Sequence, residues 1–90
     1  MSPIFSIIVP FYNTEAEYYE RTFSCLKALS PELAEVLVID DGSKTQSAME
    51  LELYLSLNLP NSTVIHKANG GQNSARQFGI DHAAGKYVLF

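Results

Sequence analysis

Cysteine is nearly absent from this chain, and clustered basic residues are absent altogether. Its 90 residues include one cysteine, Cys25, so no internal disulfide can form and a reducing compartment such as the cytoplasm is expected. Six Lys and Arg residues stand against ten Asp and Glu, which gives a net charge of −4 and no basic face for nucleic acid. These shortages exclude a disulfide-based scaffold and argue against nucleic-acid binding.

Long apolar runs and two common nucleotide motifs are also missing. No stretch approaches the ~20 residues of a membrane-spanning helix. The apolar run near the amino terminus has no basic region before it, so a signal peptide is not expected there. Neither Gly-x-Gly-x-x-Gly nor Gly-Lys-Ser/Thr occurs, which argues against a dinucleotide-binding turn and an NTPase phosphate loop. The remaining composition, 47% apolar and 18% charged, is that of a small globular domain.

Short apolar runs alternate with amphipathic segments along the whole chain. Four strands are predicted, at residues 4–9, 34–39, 63–66 and 86–90. Helices are expected between them, so the order βαβαβαβ predicts a Rossmann-like open parallel sheet in a three-layer α/β/α arrangement. Residues 55–59 also alternate with period two, so a strand is possible there, although length and composition favour a helix.

Local signals set the expected ends of these elements. Pro10 is expected to end the first strand because it lacks an amide hydrogen. Thr14 fits the first position of a capping box for the first helix, and Ser43 or Ser47 offers the same for the second. Gly85 is expected just past the third helix.

Polar and aromatic residues collect in the three loops that follow the first three strands. The loops, 10–14, 40–46 and 67–73, fall at the carboxyl edge of a parallel sheet, where open α/β folds bind ligands. A carboxylate accepts hydrogen bonds from a base or ribose, a tyrosine ring stacks on a base, and an arginine counters phosphate charge. This set of residue types suits a nucleotide. The candidate residues are Pro10, Tyr12, Asn13, Glu15, Asp40, Asp41, Asn69, Gly71 and Arg76.

Four motifs in these segments together resemble the family-two inverting glycosyltransferases with the GT-A fold. The motifs are Ser-Ile-Ile-Val-Pro-Phe-Tyr-Asn (6–13), Val-Ile-Asp-Asp-Gly-Ser (38–43), Asn-Gly-Gly with a later Ala-Arg and Gly-Ile (69–80), and Ala-Ala-Gly-Lys-Tyr-Val-Leu-Phe (83–90). The resemblance implies that residues 1–90 are the nucleotide-binding amino-terminal half of a truncated GT-A domain. It also implies transfer from a nucleotide-diphosphate sugar, most commonly a UDP-sugar, to a glycan or lipid-linked acceptor, as in bacterial polysaccharide synthesis.

The resemblance also implies roles for individual residues. Asp40 and Asp41 match the family's acidic pair, with Asp41 contacting the base, and Glu15 matches an acidic position after the first loop. Gln77 departs from the asparagine usual after the motif arginine. The loop that wraps the nucleotide is matched by Pro10, Tyr12 and Asn13, and the donor-side turn with its arginine by Asn69, Gly71 and Arg76.

The catalytic motifs of this family are missing from the 90 residues. The family's Asp-x-Asp motif, which holds a divalent metal (Mg or Mn), and its general base are expected beyond Phe90 in a full-length enzyme. No catalytic residue and no metal ligand is therefore expected here, and the chain alone is expected to be inactive but to bind nucleotide weakly. Membrane association of the full-length protein stays open.

Three further expectations follow from the sequence. An acidic pair after a strand is also found in phosphoacceptor receiver domains, although there it follows the first strand. The last predicted strand would leave a bare sheet edge, which predicts homo-oligomers through that edge. His66 and His82 are expected to be packing or surface residues without an ionic partner.

Overall fold

The computed structural model describes residues 3–30 and 32–90 as a four-stranded parallel sheet with three helices. The strands are β1 (Phe5–Phe11), β2 (Ala34–Asp41), β3 (Ser62–Lys67) and β4 (Tyr87–Leu89). The helices are α1 (Ala16–Leu26), α2 (Thr45–Asn58) and α3 (Gln72–His82). The predicted alternation is confirmed, and residues 55–58 belong to α2, not to a strand. Within the described ranges, no helix is both long and apolar enough to cross a bilayer.

The strand order β3-β2-β1-β4 places β1 and β2 in the centre of the sheet. Pro10 lies inside β1, where it pairs with Ile39, so the prediction that it ends the strand is wrong. The physical reason is the short edge strand: β4 pairs with β1 only as far as Ile7. No strand in the described residues therefore needs an amide hydrogen from Pro10 on that side.

Apolar side chains form one cluster on each face of the sheet. The cluster under α1 and α2 contains Phe11, Tyr19, Phe23, Val36, Val38, Leu51, Leu55 and Leu59. The cluster under α3 contains Ile8, Leu37, Ile39 and Ala75. Successive strand residues thus alternate between the two faces. The arrangement confirms the predicted three-layer α/β/α architecture.

The predicted helix starts are displaced in the structure. α1 follows Glu15 rather than Thr14, and α2 follows Lys44 rather than either predicted serine, without a side-chain capping bond in either case. The hydroxyl of Ser43 instead accepts the amide of Asn13 at 2.9 Å. Contacts between loops therefore override the local capping pattern.

Two glycines permit close approach to β1, and neither ends a helix. α3 ends at His82, so the prediction that Gly85 follows the helix end directly is wrong. The amide of Gly85 donates to Ser6 Oγ at 2.8 Å, which ties the segment before β4 to β1. A Cβ on the buried Gly79 would lie 2.5 Å from Cγ2 of Ile8, so this residue sets how closely α3 packs on the sheet.

Candidate functional site

A cleft of about 280 Å³ lies at the carboxyl ends of β1, β2 and β3. Residues from all three strand-end loops line it, which confirms that these loops share one edge of the sheet. The Tyr12 side chain is 54% exposed, whereas Asp41 is 4% exposed. An accessible aromatic ring and a buried carboxylate therefore meet in one cavity. The lining residues are Pro10, Phe11, Tyr12, Thr14, Asp41, Asn69, Gly71, Gln72 and Ala75.

Asp41 is fixed in the cleft by hydrogen bonds to both of its carboxylate oxygens. Oδ1 accepts from Lys67 Nζ at 2.6 Å and from the Gly70 amide at 2.9 Å, and Oδ2 accepts from the Gly71 amide at 2.7 Å. The pKa of Asp41 lies below its usual range, mainly because of the hydrogen bond from Lys67. This bond and the two amide hydrogen bonds lower the pKa by more than burial raises it. Asp41 is therefore ionised and anchors the turn before α3.

Asp40 lies outside the cleft and binds a histidine. Its Oδ2 is 2.7 Å from His66 Nδ1, and its Oδ1 accepts the Ser43 amide at 3.0 Å. Burial alone would raise the pKa of Asp40, but the hydrogen bonds from Ser43 and His66 lower it further than burial raises it. The other ring nitrogen of His66 contacts Glu52, so the expectation that His66 lacks an ionic partner is wrong.

The three loops also hold one another. The amide of Asn13 donates to Ser43 Oγ at 2.9 Å, and its side-chain oxygen accepts the Lys44 amide at 2.8 Å. Gly42 has φ +79°, and a Cβ there would lie 2.8 Å from the backbone nitrogen of Asn69. Only glycine fits this turn without strain. The second loop is thus hydrogen-bonded to the first loop and packed closely against the third.

The structure does not bring every predicted residue into the cleft. Glu15 is exposed at the start of α1. The guanidinium carbon of Arg76 lies 5.7 Å from the Phe90 ring centroid, and its buried Nε has no hydrogen-bond partner among the described residues. The predicted residues that line the cleft are Pro10, Tyr12, Asp41, Asn69 and Gly71, and those that do not are Asn13, Glu15, Asp40 and Arg76.

Some residues of the site were not predicted. Lys67 and His66 contact the two aspartates because the register of β2 and β3 pairs Asp41 with Lys67 and Asp40 with His66. Strand register is the missing signal, since it is set by packing between distant segments. Cleft residues that the sequence did not mark as ligand contacts are Phe11, Thr14 and Ala75, whereas Gln72 belongs to the third loop that was expected to contact the ligand.

The described side chains do not form a metal centre. Within residues 3–30 and 32–90, no group of three or more His, Cys, Asp or Glu side chains could hold an ion. Asp41 is hydrogen-bonded to Lys67 and to backbone amides, and Asp40 to His66 and Ser43. The donor set around both carboxylates consists of hydrogen-bond donors, which a cation would have to displace.

Known proteins match this chain over most of its length. The family Glycosyl transferase family 2 matches residues 6–90. The uncharacterized glycosyltransferase YibD of Escherichia coli is 38% identical over 88 residues, which is 94% of this chain and 24% of that protein. The crystal structure of S. aureus TarS has a TM-score of 0.77 at 32% identity, over 96% of this chain and 16% of that chain. TarS 1–349 in complex with UDP-GlcNAc has a TM-score of 0.74 at 32% identity, over 96% and 25%.

These matches cover only part of each relative. The chain spans 24% of YibD and 16% of the TarS chain. The matched proteins are glycosyltransferases, and none of the matches supports the receiver-domain alternative. The parallel sheet with flanking helices matches GT-A glycosyltransferase structures. The chain belongs to glycosyl transferase family 2.

Proposed function

We propose that the cleft binds the nucleoside diphosphate of a nucleotide sugar. We further propose that a protein containing this chain transfers the sugar to a glycan or lipid-linked acceptor. The main observation in support is that the exposed ring of Tyr12 and the buried, ionised Asp41 line one cleft in a chain of this family. The solved complex of the related TarS with UDP-GlcNAc favours a uridine nucleotide.

The chemistry of the cleft fits the parts of such a ligand. The Tyr12 ring can stack on a base. Asp41 Oδ2 accepts the Gly71 amide at 2.7 Å and the Asn69 side-chain amide at 3.4 Å, and it can also accept a base N–H. Gly71 and Gln72 place the amino terminus of α3 at the cleft, where its dipole favours the negative diphosphate. In this proposal the base contacts Tyr12 and Asp41, and the diphosphate contacts the amino terminus of α3.

The predicted residues outside the cleft take indirect roles in this proposal. Asn13 and Asp40 hold the first two loops through their contacts with Ser43. The guanidinium of Arg76 lies against the ring of Phe90, so its donor-side role rests on the resemblance alone. Glu15 remains an expectation from the resemblance alone.

A divalent metal would neutralise the diphosphate leaving group in the family's reaction. We propose, from the resemblance alone, that the metal ligands and the general base lie outside residues 1–90. The chain alone then binds nucleotide without transferring sugar. UDP release from a UDP-sugar incubated with the purified chain and Mn²⁺ would refute this part.

Calorimetric titration with UDP tests nucleotide binding and the role of the Tyr12 ring. We expect a Kd of about 1 mM for the wild type. Tyr12→Ala removes the stacking surface and should weaken binding about tenfold, whereas Tyr12→Phe keeps the ring and the affinity. Tyr18→Ala is the matched control, because Tyr18 is 60% exposed and does not line the cleft. Equal affinities for Tyr12→Ala and the wild type would contradict the proposal.

The edge strand β4 supports a proposal on assembly. Tyr87, Leu89 and Phe90 are between 47% and 63% exposed, and an edge strand carries unpaired backbone groups. We propose that copies of the chain associate through this edge. Light scattering should show a mass that rises with concentration, and a constant monomer mass would contradict it.

A further inference from the structure

His66 lies between two carboxylates that come from different elements. Its Nδ1 is 2.7 Å from Asp40 Oδ2 at the end of β2, and its Nε2 contacts the Glu52 carboxylate on α2. A neutral imidazole has one N–H, so it would turn a nitrogen lone pair toward one of these carboxylates. Only the protonated ring can donate to both carboxylates while both are ionised, so this arrangement favours the imidazolium form.

A continuous series of hydrogen bonds connects His66 to the wall of the cleft. The second oxygen of Asp40 accepts the Ser43 amide at 3.0 Å, and the Ser43 hydroxyl accepts the Asn13 amide at 2.9 Å. Asn13 has φ +48°, a conformation that few non-glycine residues adopt, and it directly follows Tyr12. These hydrogen bonds connect the Tyr12 loop to His66.

We propose that protonated His66 is a positioning residue for the cleft. By binding Asp40 and Glu52, it holds the turn at residues 40–44 and, through that turn, the loop that carries Tyr12. The loop loosens when His66 loses its proton. Nucleotide affinity then depends on pH through a group outside the cleft, a consequence that rests on the function proposed above.

The surroundings of His66 favour its protonated form. Among the described residues, the charged groups that face it are Asp40 from β2 and Glu52 from α2, while its β3 neighbour Lys67 lies on the other face with Asp41. Hydrogen bonds to Asp40 and then to Glu52 raise the pKa of His66, against a smaller opposing effect of burial. The side chain is 47% exposed, so its proton exchanges with solvent and its effect is modest.

An NMR titration of the wild-type protein without nucleotide tests the positioning role. Between about pH 5.5 and 8.5, the amide signals of Asn13, Ser43 and Lys44 should shift together with the His66 ring signals, with a shared midpoint above 6.5. Amides that do not follow the ring, or a ring midpoint at or below 6.5, would overturn the proposal. This measurement does not depend on the folding of any variant.

Three variants test whether His66, and not another titrating group, causes the shifts of the loop amides. His66→Gln should abolish the shared titration of the loop amides, and Glu52→Gln should lower its midpoint while Asp40 still binds the ring. His82→Gln is the matched control, because His82 is the other histidine of the chain and lies on α3. Loop amides that still titrate in His66→Gln would also overturn the proposal.

UDP affinity on either side of the His66 midpoint tests the consequence for binding. The phosphate of UDP ionises near pH 6, so UDP affinity changes with pH even without a titrating His66, and His66→Gln measures that change. Above the midpoint, the affinity of the wild type should fall about two- to fivefold further than the affinity of His66→Gln does. Identical pH profiles for the two proteins would overturn this consequence. Loop titration without UDP binding at any pH would contradict the proposed function and leave the His66 assignment standing. UDP binding without loop titration would overturn the His66 assignment and leave the proposed function standing.

Discussion

Asp40 and Asp41 are neighbours in the sequence, yet their carboxylates lie on opposite faces of the sheet. Asp40 binds His66 on the face covered by α1 and α2, whereas Asp41 binds Lys67 on the side of α3. β2 continues through both residues, and successive strand side chains alternate between faces. The two carboxylates therefore do not form one cluster. Asp41 lines the cleft, and Asp40 binds the turn at Ser43 outside the cleft.

This division predicts unequal effects of the two conservative substitutions. Asp41→Asn should lower the free energy of unfolding by about 2–4 kcal/mol, because the Lys67 ammonium, 12% exposed, loses its counter-charge. Asp40→Asn should cost about 1 kcal/mol, since its partner His66 can lose its proton to solvent. Urea denaturation gives both values. In Asp41→Asn combined with Lys67→Met the loss should be smaller than the sum of the single losses, and additive losses would contradict the pairing.

Stability should pass through a maximum between mildly acidic and neutral pH. The raised pKa of His66 gives stability that is complete below about 6.5 and is lost as the pH rises through the folded-state pKa. The lowered pKa values of Asp40 and Asp41 give stability that is present above about 3.9 and is lost as the pH falls through the folded-state values. Unfolding free energies measured across pH should show both losses.

Substitution of each histidine in turn tests whether His66 causes the loss of stability above neutral pH. His66→Gln should flatten the loss of stability above neutral pH, and His82→Gln should leave it unchanged. A wild-type stability that rises steadily from about pH 6 to 9 would contradict the His66 contacts.

The packing of α3 on β1 predicts that Gly79 tolerates no side chain. Gly79→Ala should lower the free energy of unfolding by about 1–3 kcal/mol, because its Cβ would overlap the fully buried Ile8. Gln77→Ala, at an exposed position on the same helix, should change it by about 0.5 kcal/mol or less. Thermal or urea denaturation that gives equal values for the two variants would contradict this account.

The fold could be predicted because hydrophobic periodicity is a local property of the chain. The run Val36–Ile39 is apolar at every position, as a strand covered on both faces must be, and Tyr19 and Phe23 have helical spacing. Element ends were less predictable. Pro10 continues its strand because β4 is short, and Ser43 binds Asn13 instead of capping a helix. Both outcomes depend on distant segments.

The candidate site was predictable to the extent that topology alone determines it. Parallel strands bring Tyr12, Asp41 and Gly71 to one edge whatever the details of packing. The partners of the two aspartates, His66 and Lys67, depend on strand register, which no local pattern reveals. The resemblance that suggested the residue roles does not show that Asp40 lies outside the cleft.

Chemical-shift mapping with UDP tests the central claim most directly, namely that three strand-end loops form one nucleotide site. At millimolar UDP, the largest amide shifts should fall in residues 11–14, 41–44 and 69–76, which line the cleft or lie beside it. Shifts that are absent at this concentration, or that fall at the opposite edge of the sheet around residues 57–61, would contradict it.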